Sequence, residues 1–287
     1  MRYTTPLRYP GGKSKLANFI KMVIEENFLL DGHYVEPFAG GAAIAFSLLF
    51  EEYVIHAHIN DLDRSVFSFW ASVLNQTDDL CRLINDTPVT VDEWRRQKQI
   101  QSNPDEYSTL ELGFSTFFLN RTNRSGIIAG GIIGGLDQTG KWKIDARYNK
   151  EGLIARIKKI ASFRHRISLY NLDAEDLLRN VVPTLPDKTL VYLDPPYYVK
   201  GKDLYQNHFK HDDHVSLANV ATNNIRQHWI VSYDFVPEIS EIYEDFRQVD
   251  YQLSYSAATR QKGSELMVFD DSLIIPEVSN PVKINVA

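Results

Sequence analysis

The chain has 287 residues, 44% hydrophobic and 24% charged, the balance of an ordinary globular protein rather than a disordered or fibrous one. It has no apolar run near the ~20 residues of a membrane span, no apolar leader, and a single cysteine, Cys81, which excludes an internal disulfide and a multi-cysteine zinc site. The expectation is a cytoplasmic protein with no membrane attachment and no metal. The net charge of −6 conceals an asymmetry, because residues 121–166 carry 11 basic and 3 acidic residues. Such a stretch in an acidic chain is either a polyanion-binding segment or a solvated helical face.

In chain order, an apolar strand over Tyr34–Phe38 enters the glycine turn Ala39-Gly40-Gly41 and then a helix over Ala42–Phe50. A second strand, Val54–Asn60, ends at Asp61, which completes a βαβ unit. Asp61 lies twenty residues past Gly41, the spacing at which an acid reaches ribose hydroxyls in nucleoside-binding folds of this type. From residue 64 to 166 the strand rhythm is absent. Val66–Leu74, Leu110–Asn120 and Lys150–Phe163 have helical spacing, the last with Leu153, Ile154, Ile157 and Ile160 on its buried face. Six glycines over Gly126–Gly140 predict a mobile loop. Strands resume at Ile167–Asn171, Thr189–Leu193 and Trp229–Tyr233. Val249–Tyr255 and Glu265–Phe269 flank a turn at Arg260-Gln261-Lys262-Gly263, a C-terminal β-hairpin. The reading is an α/β sheet domain, residues 1–63 and 167–287, interrupted by a helical, basic insertion over residues 64–166.

The most informative segment is Leu193-Asp194-Pro195-Pro196-Tyr197-Tyr198, at the end of an apolar strand. Ligands of open α/β sheets bind at the carboxyl ends of strands. Two consecutive prolines end the ladder and force a stiff, extended exit. The Asp194 carboxylate and the Pro195 carbonyl then become two acceptors facing one cavity, with Tyr197 as an aromatic face beside them, a set suited to a planar group bearing an NH2.

Asp194-Pro195-Pro196-Tyr197 resembles the catalytic motif of amino-group DNA methyltransferases. Tyr9-Pro10-Gly11-Gly12-Lys13, Phe38-Ala39-Gly40-Gly41 and Asp61 resemble, in order, the cofactor motifs of the DNA adenine methylase (Dam-like) family; Leu119-Asn120-Arg121-Thr122 and Arg147-Tyr148-Asn149 resemble its target-recognition insert. Ala42 departs from the pattern, since many relatives have a third glycine there. The resemblance implies a Rossmann-like sheet that binds S-adenosyl-L-methionine and methylates adenine N6 in double-stranded DNA, acting alone or beside a restriction endonuclease of the same site. In that scheme Asp194, Pro195, Pro196 and Tyr197 are catalytic, and the base flips out to stack on Tyr197. Asp61 binds the ribose, Asp173 the cofactor's adenine amino group, and Tyr9, Gly11, Gly12, Lys13, Phe38, Gly40, Gly41 and Asp194 line the rest of the cofactor. Arg121, Asn123, Arg124, Lys141, Lys143, Arg147, Asn149, Arg260 and Lys262 are the DNA-contact candidates.

Other readings are weaker. Gly12-Lys13-Ser14 is not a phosphate loop, because Leu7 stands where that motif needs its first glycine. His208, His211 and His214 lack a supporting acid or cysteine cluster for a metal. Cys81, in a helical context inside the insertion, is no candidate nucleophile for cytosine C5 chemistry. Asp173 equally suits a helix N-cap. Cytosine N4 as the target, or a catalytically silent DNA-binding module, are the alternatives to adenine methylation.

Overall fold

The computed structural model describes residues 4–8, 13–199, 209–254 and 262–284, leaving aside the side chains of residues 252–254 and 262–263. Tyr9, Gly11, Gly12, His208, Arg260 and the Lys262 side chain therefore lie outside the described residues. In chain order the elements are α1 (Ala17–Glu26), β1 (Gly32–Glu36), α2 (Ala43–Phe50), β2 (Val54–Asn60), α3 (Arg64–Asn75), α4 (Thr77–Asp86), α5 (Val91–Ser102), α6 (Thr109–Thr122), α7 (Lys150–Ser162), β3 (Ile167–Tyr170), α8 (Ala174–Asn180) and β4 (Thr189–Leu193). They continue with α9 (His211–Asn223), β5 (His228–Asp234), α10 (Pro237–Ile242), β6 (Arg247–Ser254) and β7 (Lys262–Phe269). The chain divides into a sheet unit, residues 13–60 and 172–287, and a helical unit, residues 1–12 and 61–171.

Six of the seven strands belong to the sheet unit, in the order β2-β1-β4-β5-β7-β6. The first four are mutually parallel, β7 runs antiparallel to β5, and β6 pairs with β7 as the C-terminal hairpin. This is a Rossmann-like, mixed α/β sheet. Every residue of β4 is buried, as expected of a central parallel strand covered on both faces. β1 ends at Glu36, two residues earlier than the sequence pattern indicates, because Pro37 has no N–H to continue the ladder. Lys262 and Gly263, read from sequence as turn residues, pair within β7. The carboxyl ends of β1, β4 and β5 share one edge, where Glu36, Asp194 and Asp234 stand. The antiparallel course of β7 brings Glu265 opposite Asp234 at the same edge.

In the helical unit, α3 and α6 form the core, with the Phe69 and Phe117 rings stacked at 5.9 Å. Every residue of α6 from Leu112 to Thr122 is buried, so this helix has no polar stripe for periodicity to detect. Asp63, Thr90 and Asn149 cap α3, α5 and α7, and Ser108 with Glu111 forms a capping box on α6. In α7, Leu153, Ile157 and Ile160 are buried, whereas Ile154 is only half-buried.

The glycine-rich stretch is not the mobile loop expected from composition. Arg124 N–H donates to the Gly131 carbonyl (2.9 Å) and Ile133 N–H to that of Thr122 (2.9 Å). The Gln138 amide donates to the Ile133 and Gly135 carbonyls and accepts from Ile144 N–H. Positive φ at Gly126, Gly134 and Gly135 lets these turns close.

Gly113 sets the approach of α3 to α6. A Cβ there would lie 2.5 Å from the Ser68 carbonyl oxygen and 2.6 Å from Ser72 Oγ. Alanine gains up to ~1 kcal/mol in helix propensity, but overpacking against a backbone carbonyl costs ~1–3 kcal/mol. Gly113→Ala should therefore lower the thermal midpoint by several degrees; an unchanged or raised midpoint would show that the two helices are free to separate.

Candidate active site

The first sheet-edge loop begins at Glu36. Its buried carboxyl accepts the Ala45 N–H at the start of α2 (3.0 Å), and burial pushes it up to about 8, so it braces the glycine turn as a neutral acid at pH 7. Gly40 and Ala42 both have positive φ, 45° and 47°. The turn forms with alanine at position 42, in a left-handed conformation that glycine adopts more readily. Asn60, at the end of β2, ties two loops together. Its amide donates to the Pro37 (2.9 Å) and Leu172 (3.0 Å) carbonyls and accepts from Leu172 N–H (2.9 Å). The glycine turn and the Asp173 loop are thus held side by side. Asp173 Oδ1 accepts Glu175 N–H (2.8 Å) as the N-cap of α8, with the carboxylate still exposed. In the helical unit, Asp61 Oδ1 accepts Asp63 N–H (3.0 Å).

The Asp-Pro-Pro-Tyr turn is fixed from three directions. Asp234 accepts the N–H groups of Tyr198 (2.9 Å) and Val199 (3.1 Å). Ser232 Oγ donates to Asp194 Oδ1 (3.0 Å) and itself meets Tyr192 Oη (2.8 Å). The Tyr197 hydroxyl donates to Glu265 Oε1 (2.8 Å) and accepts from Lys13 Nζ (2.6 Å). Lys13 Nζ also donates to Glu265 Oε2, which takes a further bond from Tyr251 Oη (2.6 Å). The Lys13 and Glu265 side chains are 2% and 0% exposed, and Lys13 Nζ lies 3.6 Å from Asp194 Oδ1. Sequence reasoning names Lys13, Asp194 and Tyr197, and the structure brings all three together. It misses Glu265, a single acid at the head of the apolar run Leu266-Met267-Val268-Phe269, because no spacing rule links it to a lysine 252 residues away.

One expectation needs revision. The Tyr197 ring, read as an open stacking face, is 3% exposed because its hydroxyl is drawn in to Lys13 and Glu265. His211 meets the Tyr198 hydroxyl, and buried His214 faces Tyr233 Oη at 3.1 Å. Burial pushes the Asp194 carboxyl up to about 6; the Lys13 ammonium opposes the rise and the Glu265 carboxylate adds to it.

The family model for D12 class N6 adenine-specific DNA methyltransferases matches residues 9–257. The chain belongs to this family. It is 24% identical over 235 residues to the type II methyltransferase M.MjaIII of Methanocaldococcus jannaschii, covering 74% of this chain and 77% of that protein. Among solved structures, the rRNA methyltransferase aviRa from Streptomyces viridochromogenes is similar with a TM-score of 0.42 and 13% identity, covering 91% of this chain and 86% of that one. The protein is thus an adenine-specific DNA methyltransferase, and among the described residues no helix is long and apolar enough to cross a membrane.

In this D12 methyltransferase the DNA-contact candidates separate by burial. Arg121 is 7% exposed and donates to the Pro6 carbonyl; burial, then the repulsion of neighbouring arginines, pulls it down to about 9. Asn123 is wholly buried, donating to the Ile127 and Ile128 carbonyls and accepting from Trp94 Nε1. Asn120 brackets Arg8, accepting its N–H and donating to its carbonyl, both at 2.8 Å. Arg121 and Asn123 are therefore internal clasps, not residues turned to a ligand. Asn149 is exposed but caps α7 through Gly152 N–H (3.1 Å). Arg124, Lys141, Lys143 and Arg147 are exposed. Trp142, which sequence reasoning passes over, is 59% exposed, with Lys141 Nζ and the Arg147 guanidinium each 5.8 Å from its ring. An exposed indole between two cations is suited to bases and phosphates together.

Arg121→Gln should lower thermal stability by loosening the Thr4–Arg8 segment while leaving the salt dependence of DNA affinity unchanged. A flattened salt slope in the folded variant would return Arg121 to the DNA-contact residues.

Proposed function

We propose that the sheet unit transfers a methyl group from S-adenosyl-L-methionine to N6 of an adenine flipped out of duplex DNA, and that the helical unit, through the insertion over residues 64–166, recognises the site. The observation that carries this reading is the state of Asp194. It is a carboxylate on a stiff turn at the sheet's ligand-binding edge, with a quarter of its side-chain surface open and the nearest cation already matched by Glu265.

The donor set fits the cofactor. With Lys13 and Glu265 cancelling, Asp194 is surplus negative charge beside aromatic rings, a complement for a sulfonium rather than for a phosphate. Phe38, Gly40, Gly41, Asp173 and Lys13, with Tyr9, Gly11 and Gly12, are the residues assigned to hold it. When bound, this cofactor supplies an electrophilic methyl group, whose bond to sulfur breaks with the electron pair left on the thioether. The chain's own residues then have one task, which is placement. The adenine N6 lone pair is delocalised and weakly nucleophilic. Acceptance of its hydrogens by Asp194 and the Pro195 carbonyl favours a pyramidal nitrogen aimed at the methyl carbon, and such orientation removes several kcal/mol from a barrier. Asp194, already bonded to one N6 hydrogen, receives the proton that the amine sheds. Tyr197, clamped through its hydroxyl, is a rigid wall of the site, and stacking of a base on it requires its present cover to move. Extrusion of the base from the duplex costs a few kcal/mol. The similarity to a type II methyltransferase supports a role in DNA modification.

Asp194→Asn should abolish single-turnover methylation of DNA while leaving the fold intact by thermal unfolding. In the wild-type enzyme the carboxylate is the active form and the carboxyl sits near 6. The rate should therefore be flat above pH 7 and fall about tenfold per pH unit well below 6. Turnover by the asparagine variant, or a rate that stays level down to pH 5, would remove Asp194 from the chemistry.

For recognition, replacing Lys141 and Arg147 by glutamine should weaken binding to all DNA sequences alike and flatten the log-affinity against log-salt slope by about one for each phosphate no longer neutralised. Arg124→Ala should instead relax preference at one base pair, a discrimination of ~1–3 kcal/mol. Methylation rates on a panel of single-base site variants distinguish the two; a uniform drop with Arg124→Ala would make it another phosphate ligand.

A further inference from the structure

We propose that Glu265 is a positioning residue for methyl transfer: by holding the Lys13 ammonium against itself and Tyr197, it keeps that ammonium from closing on Asp194 and leaves the Asp194 carboxylate available to the target amine. This rests on the reading of Asp194 as the amine's acceptor.

The geometry is a competition between two carboxylates for one buried cation. Lys13 Nζ bonds Glu265 Oε2 and the Tyr197 hydroxyl closely and makes only a long ion pair, at 3.6 Å, with Asp194 Oδ1. The Lys13 side chain is 2% exposed, so water cannot take the ammonium if one partner fails; it must turn to another anion. Glu265 wins because it is the nearer of the two. Tyr197 and Tyr251 donate to its two oxygens and the cation adds a third bond. Asp194 takes a hydrogen bond from Ser232 and, beyond it, only the 3.6 Å ion pair with Lys13 among the described residues. The strand register enforces this outcome, since β7 sets Glu265 level with Tyr251 on β6 and with Asp234 on β5.

Among the described residues, the groups that act on Asp194 are few. Lys13 approaches from the chain before α1, Glu265 from β7 and Glu36 from β1. Tyr34, Tyr192, Tyr233 and Tyr251 also face it, and burial holds all four hydroxyls protonated. Lys13 is the sole cation of this set. Its allegiance therefore sets how basic Asp194 is, and a closer ion pair with Asp194 would weaken the carboxylate as an acceptor.

The test is the pH profile of single-turnover methylation by the full-length enzyme, with saturating cofactor and DNA. In Glu265→Gln the ammonium turns to Asp194. The acidic limb should then move down by about one pH unit or more, the scale of a new close ion pair, and the plateau rate should fall at least tenfold. A limb that stays in place or rises overturns the proposal, because weakened packing alone lowers the plateau without moving the limb. If Glu265→Gln does not fold, Tyr251→Phe decides. It removes one donor from Glu265 and concentrates its charge, so the limb should move up; a static or lowered limb overturns the proposal. A wild-type enzyme with no acidic limb, or an active Asp194→Asn, would defeat the reading of Asp194 itself. That outcome is distinct from a wild-type limb that Glu265→Gln fails to move.

Discussion

The sheet unit is organised around a buried ion pair between the chain before its first helix and its last strand. Lys13 and Glu265 are almost wholly removed from water, and breaking such a pair by removing one partner costs ~3–5 kcal/mol, because the other charge is left stranded. That penalty constrains the topology. β7 must run antiparallel beside β5 so that Glu265 arrives at the edge where the parallel strands end. The hairpin must pair in the register that sets Tyr251 against Glu265. The Asp-Pro-Pro-Tyr turn must leave β4 so that the Tyr197 hydroxyl falls between the two charges. The hairpin is thereby part of the site's architecture rather than an appendage to the sheet.

The helical unit applies the same economy to a different end. Its central helix is buried along most of its length, so the polar residues at its end find partners inside the protein. Asn120 and Arg121 hold the Thr4–Arg8 segment, and Asn123 gathers the carbonyls that open the glycine-rich stretch. Once these groups are committed inward, Arg124, Lys141, Arg147 and Trp142 form the outward chemistry. A basic count over residues 121–166 does not separate the two sets; burial does.

What was legible in the sequence follows the range of the interaction involved. The glycine turn, the Asp-Pro-Pro-Tyr exit, the apolar strands and the C-terminal hairpin are specified by residues within a few positions of one another, and each is found, though β1 ends two residues early and β7 takes in Lys262 and Gly263. Glu265, Asn60 and the inward role of Arg121 depend on partners more than a hundred residues away, and no periodicity carries that information. The stretch Gly126–Gly140 misleads for a related reason. Glycine content reports conformational freedom of the backbone, whereas order here comes from the amides of Asn123 and Gln138, which composition weighs lightly.

Of the carboxyl groups at the sheet edge, one is in a different state from the rest. Glu36 is neutralised by a proton, since burial holds it above neutral pH. Asp234 is satisfied by two backbone N–H groups, and Glu265 by a lysine and two tyrosines. Each of these arrangements is saturated and offers little to a ligand. Asp194 differs in every respect. It carries one hydroxyl bond, stands partly open to solvent, makes only a long ion pair with Lys13, and is pushed up to about 6. At physiological pH it is therefore charged, under-coordinated and fixed in direction by the prolines that follow it. A buried edge can hold such a group only because its neighbours are individually satisfied; any one of them left without its partner would compete for the same cation. The basicity of Asp194 is thus a property of the whole edge, whereas the motif that contains it specifies only its direction.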